Sequence, residues 1–170
     1  MEALFALLVI PLVGGVALWT LGEHDYAPEA NSLFSLTTFA TSLLLAAQVI
    51  SEGPVMGIYE QFFVDPLNVF LVTLTAFVAF TTSLFSRPYM RTERDKGRMT
   101  AARLRLYHSM YQVFTFTMLL ALTTNNMGIL WVAMEAATLA TVLLVSVYRT
   151  AASLEAARSE ERRVGKECRL

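Results

Sequence analysis

Glu135 is the acidic side chain whose position asks for an explanation. It stands in Trp131-Val132-Ala133-Met134-Glu135-Ala136-Ala137-Thr138, eight residues past Met127, inside an otherwise apolar run. If that run is a helix, the carboxyl lies roughly 12 Å along it, near the middle of a hydrocarbon layer. A central acidic group there costs several kcal/mol, so it normally faces the interior of a helix bundle and has a task. Proton handling is the chemistry that suits it. A carboxyl in a low-dielectric setting keeps its proton, and an approaching cation draws the proton off. Thr138, three positions on, shares the same face and could hold a water or a hydrogen bond. A protonated glutamic acid bonded to a neighbouring helix is the structural alternative.

Other polar residues give weaker signals. Asp65 precedes Pro66 at the start of an apolar run and reads as a helix cap rather than a proton carrier. His108 sits where the fourth apolar segment meets the membrane surface; an interfacial side chain is favoured over a proton-uptake group. His24 falls in a polar connection and is expected to be solvated. Gln112, Thr115 and Thr117 could line a wet path or make interhelical hydrogen bonds. Phe62, Phe63, Tyr107 and Tyr148 suit the aromatic belts at the membrane surfaces.

The elements that must position these groups are membrane helices. Apolar residues make up 55% of the chain and charged residues 16%, and no Lys or Arg occurs before Arg87. A spanning helix needs about 20 mostly apolar residues. Five segments approach that: about 3–21, 33–50, 66–85, 107–122 and 127–148. Pro11 and Gly14-Gly15 in the first are tolerated where neighbouring helices support the backbone. The run from Gly22 to Pro28 and the Glu52-Gly53-Pro54 stretch read as breaks. Between them these features define an all-α membrane bundle with short loops and antiparallel neighbours. The first segment has no basic region before it and is long enough to span, so it reads as a retained helix rather than a signal peptide.

Charge placement orients the bundle. The stretch 87–105 carries seven basic and two acidic residues and reads as a basic loop. Five crossings put it on the same side as the first connection and the C-terminus, and the opposite loops hold no Lys or Arg. The positive-inside rule makes the basic side cytoplasmic and the N-terminus external. The 87–105 stretch is expected to meet anionic headgroups or a cytoplasmic partner. The net charge of −1 hides a polarised distribution and gives no argument for nucleic-acid binding, and the single cysteine, Cys168, cannot support a disulfide framework. The chain shows no nucleophile–base pair, phosphate loop, haem motif or metal-ligand cluster, so no active site, cofactor or metal is expected within it.

From Arg158 the composition turns abruptly from apolar to charged: Arg158-Ser159-Glu160-Glu161-Arg162-Arg163-Val164-Gly165-Lys166-Glu167-Cys168. This string resembles the in-frame translation of a sequencing-adapter oligonucleotide. Residues 158–170 are therefore set aside as an artefactual tail, and the remainder is expected to represent the N-terminal part of a longer protein.

Phe63-Val64-Asp65-Pro66-Leu67-Asn68 and Trp131-Val132-Ala133-Met134-Glu135-Ala136-Ala137-Thr138-Leu139 resemble the antiporter-like membrane subunits of the complex I and hydrogenase superfamily, closest to the F subunits of hydrogenase 4. The resemblance implies that Asp65-Pro66-Leu67 opens the third helix and that Glu135 belongs to the proton-translocation machinery. It further implies partners: the lipid bilayer, other membrane subunits of the complex and a peripheral redox arm. The family pairs its fifth-helix glutamate with a lysine of a later helix; here no Lys lies in any apolar segment. The resemblance is shared by cation/proton antiporter subunits of the multi-subunit sodium–proton type. A non-transporting five-helix anchor is the third reading.

Overall fold

A computed structural model describes residues 2–21, 24–57, 60–97 and 99–148. They form five helices: α1 (Glu2–Leu21), α2 (Ala27–Glu52), α3 (Pro66–Asp95), α4 (Ala101–Thr123) and α5 (Met127–Val145). Between α2 and α3 lie two short strands, β1 (Val55–Gly57) and β2 (Phe62–Val64), paired antiparallel. A single 3-10 turn, Ser146–Tyr148, follows α5. The expected all-α helical bundle is present. By length and composition α1, α2, α3 and α5 can cross a membrane.

The fourth helix is the exception, and its place in the bundle shows why. α4 packs most extensively on α1 and α5, and also on α3 and α2. Its His108, Ser109, Gln112, Thr115, Thr117 and Thr123 are buried among those neighbours. A helix surrounded by protein can carry polar groups that a lipid-facing helix could not.

Two segment boundaries differ from the sequence reading. α2 begins at Ala27, not near residue 33, because Pro28 occupies its first turn, where a missing N–H costs nothing. The stretch 87–105 is not a loop. α3 continues through Pro88 to Asp95 and α4 begins at Ala101, leaving only a tight connection at the Thr100 cap. α3 has 30 residues, about 45 Å of helix against a hydrocarbon layer of about 30 Å. Its last turns therefore project beyond the apolar layer, and charge there does not end the helix.

Asp65 is the cap the sequence indicated: its Oδ1 accepts from the Asn68 N–H at 2.7 Å, with Pro66 in the first turn. The hairpin was not foreseen. Val55–Gly57 and Phe62–Val64 are rich in residues that suit strands, and they fold over the end of the bundle. Gln61 ties the hairpin to the α4–α5 turn, its carbonyl accepting from Asn125 N at 2.7 Å and its Oε1 from Asn126 Nδ2 at 2.6 Å. Leu4, Leu7, Leu45, Val49, Val64, Val69, Val72 and Leu119 form one apolar core. Met90, Met99, Leu104 and Val147 form another.

The second end gathers charge. Arg87 and Arg91 of α3 both donate to Glu29 Oε1 of α2, and Arg94 donates to Asp25 at 2.6 Å. The acidic first connection and the basic end of α3 thus meet at one end, as up-and-down topology requires. Residues 158–170, like Arg149 and the Tyr148 side chain, lie outside the described part.

Candidate functional site

α5 begins because Asn126 caps it: its Oδ1 accepts from Gly128 N at 2.8 Å and Ile129 N at 3.3 Å. One face of the helix carries Ala133, Ala137 and Ala140, all buried. Spacings of four and three residues place them in line, and α5 makes its main packing contact with α4. Small side chains let the two backbones approach closely.

Glu135 lies on a different face. It is the ninth of 19 residues in α5, the helix midpoint, and is half-buried. With Trp131, Val132, Ala136 and Leu139 it lines an open groove of about 450 Å³. Trp131, Val132 and Leu139 are largely exposed along this groove. The carboxyl therefore sits halfway along an apolar surface in a recess.

Thr138 lies one turn on from Glu135 and is half-buried. Its hydroxyl donates back to the Met134 carbonyl at 3.0 Å, the usual arrangement for a helical threonine. Thr115 and Thr117 likewise donate to carbonyls of their own helix, those of Tyr111 and Phe114. Gln112 does: its Nε2 donates to Asn31 Oδ1 at 2.8 Å, Asn31 O at 3.1 Å and Ser35 Oγ at 3.0 Å, joining α4 to α2. Ser109 adds a bond from its Oγ to the Gly15 carbonyl of α1 at 2.8 Å.

His108 is the clearest departure from the sequence reading. It is no surface side chain: it is 1% exposed, with the Tyr107 ring against its edge at 5.2 Å. The projecting turns of α2 and α3 cover it, and a local hydropathy reading cannot see that cover. His24 is exposed, as expected of the connection. Asp65 and Pro66 are at the opposite end, at the start of α3, and take no part in either place. Among the described residues no group of three or more His, Cys, Asp or Glu side chains could hold a metal. Asn31, Ser35 and Ser109 were missed; the alternation of Ser, Thr and Asn along residues 31–42 was the available signal.

The chain is 42% identical over 151 residues, 89% of its length, to the hydrogenase-4 component F homolog of Methylacidiphilum infernorum (isolate V4). The chain is a relative of hydrogenase-4 component F. It spans about 30% of that relative's length. No protein-family model matches it. The resemblance carried by the Asp65 and Glu135 segments thus extends across most of the chain.

Proposed function

We propose that this chain forms the N-terminal helices of a proton-translocating membrane subunit of a hydrogenase or NADH–quinone oxidoreductase complex, with Glu135 as a proton-carrying group. The observation that carries this reading is the position of Glu135: a carboxyl at the midpoint of an apolar helix, in a recess of that helix's outer face. A permanent charge would be expensive there, whereas a carboxyl that alternates between neutral and charged forms can be tolerated and used. The similarity to a hydrogenase-4 component supports a place in a multi-subunit membrane complex.

On this reading the recess receives a further helix of the complete subunit. The cation that draws the proton from Glu135 is then the later-helix lysine implied by the resemblance. Other membrane subunits and a peripheral redox arm would supply the driving energy, and the protein would reside in the inner membrane of a prokaryote with its N-terminus outside. The experiment is Glu135→Gln in the complete subunit within its assembled complex. Loss of coupled proton transport with assembly and redox turnover retained supports the role. Full coupled transport in the variant removes it.

A further inference from the structure

At the basic end of the bundle two helices begin, α2 at Ala27 and α4 at Ala101. The first N–H groups of a helix have no partner within it, and the positive end of its dipole lies there. The Tyr26 side chain makes no cap bond to α2, and in α4 the Thr100 hydroxyl accepts from Arg103 N. Both helix starts line one cavity of about 20 Å³, together with His24, Arg91, Arg94 and His108, among others. Among the described residues no carboxylate lines it. Glu29 and Asp25 pair with the arginines of this end but form no part of the wall.

His108 gives an independent sign that something belongs in this space. It is 1% exposed, and neither of its ring nitrogens has a hydrogen-bond partner in the protein. Burial keeps the ring neutral, so it presents one N–H donor and one bare nitrogen. Buried donors nearly always have an acceptor. Arg91 and Arg94 add further donors, since a guanidinium has several N–H groups and each carboxylate engages only part of them. A water needs about 10–15 Å³ on this measure, so one particle near that size fits and a many-atom organic acid does not. Arginines, an imidazole N–H and a helix start all donate, which suits a particle that only accepts.

We propose that this cavity is a binding site for a halide-sized anion, with chloride as its natural occupant. Arg91 and Arg94 supply the charge, and the His108 N–H and the first N–H of α4 supply neutral donors. The local balance favours a negative ion. Arg87, Arg91 and Arg94 face only Glu29 and Asp25, an excess of one positive charge that a single halide cancels. Glu93 of α3 is buried nearby in sequence but does not line the cavity. The arginines stand on the turns of α3 that project beyond the apolar layer, so the ion arrives from the aqueous side and need not cross hydrocarbon. Once bound, it joins the first connection, the end of α3 and the start of α4 at one point.

This site does not depend on the role of Glu135. Its test uses the full chain in nanodiscs of zwitterionic lipid, labelled with nitrogen-15 histidine. The chain has 2 histidines, and a separate His24→Gln sample serves only to assign them. Chloride replaces gluconate at constant ionic strength, and the His108 ring resonances are expected to shift and saturate. Arg94→Gln should weaken the apparent affinity about tenfold or more. Lys96→Gln removes the same charge from the same end without touching the cavity, and should change the affinity by no more than about twofold. Ala101 is exposed and lines the cavity, so Ala101→Phe fills it from outside and should abolish the response even if Arg94→Gln does not fold. A His108 ring indifferent to chloride overturns the proposal, since the cavity then holds water alone. Equal weakening by Arg94→Gln and Lys96→Gln overturns it too, because the effect would be general screening. So does a shift that appears without chloride when phosphatidylglycerol is added, which would make a lipid phosphate oxygen the occupant.

Discussion

Gln112 holds α4 to α2 with one nitrogen shared among three acceptors on two residues. Replacing it with leucine keeps the volume but leaves Asn31 Oδ1 and Ser35 Oγ facing an apolar group. We expect Gln112→Leu to destabilise the bundle by about 1–2 kcal/mol, read as a fall in midpoint temperature in detergent. A companion Asn31→Leu should add less than its own single cost, because the pair shares one interaction. At this scale the sequence was informative only where a local rule decides. Asp65 beside Pro66 has one sensible role, and the structure shows it. Glu135 could be located by counting from the start of its run. His108 could not be placed, because its burial depends on how far α2 and α3 extend, a property of other segments. Thr115 and Thr117 were ambiguous for a different reason: a helical threonine always has its own i−4 or i−3 carbonyl within reach.

Helix ends were less legible than helix centres. Hydropathy reports where the hydrocarbon layer stops, and α3 goes on past that point because its arginines remain good helix formers in the headgroup region. The hairpin was hidden by its brevity, three residues per strand, and by the Gly53-Pro54 break before it. Helix packing, in contrast, has a visible sequence cause at Gly14-Gly15. A Cβ on Gly14 would meet the Phe34 ring at 2.9 Å, and one on Gly15 would meet Val113 Cγ2 at 3.1 Å. That close approach brings the Gly15 carbonyl within reach of Ser109. Gly15→Val should push α1 from α4, break that bond and cost about 1–3 kcal/mol. Gly15→Ala should cost clearly less, since Val113 need move only a few tenths of an ångström. Equal losses for the two variants, measured by thermal denaturation, would show that α1 is not held by this contact. At the other end, Asn126→Ala removes both the α5 cap and the bond to Gln61, and should cost about 1–2 kcal/mol.

Taken whole, the molecule has two unlike ends. One carries Arg87, Arg91, Arg94, Lys96, Arg103 and Arg105; the other carries Glu52, Glu60 and Asp65 with no Lys or Arg among its described residues. Glu29 and Asp25 pair with three of the arginines, yet exposed pairs of this kind contribute little, and acidic residues weigh little in setting orientation. The basic end should therefore face the cytoplasm. Single cysteines in a Cys168→Ser background test this with a membrane-impermeant maleimide. Met127 is 80% exposed at the acidic end, and Lys96 is exposed at the basic end. Met127→Cys should label in intact spheroplasts, and Lys96→Cys only in inverted vesicles. The reverse pattern turns the bundle over and puts the His108 cavity on the outer surface. Labelling of both from one side would mean that α4, the helix too polar to span by composition, does not cross. The buried environment of Gln112 makes that arrangement costly, because an α4 outside the bilayer could not keep its place between α1, α2 and α5.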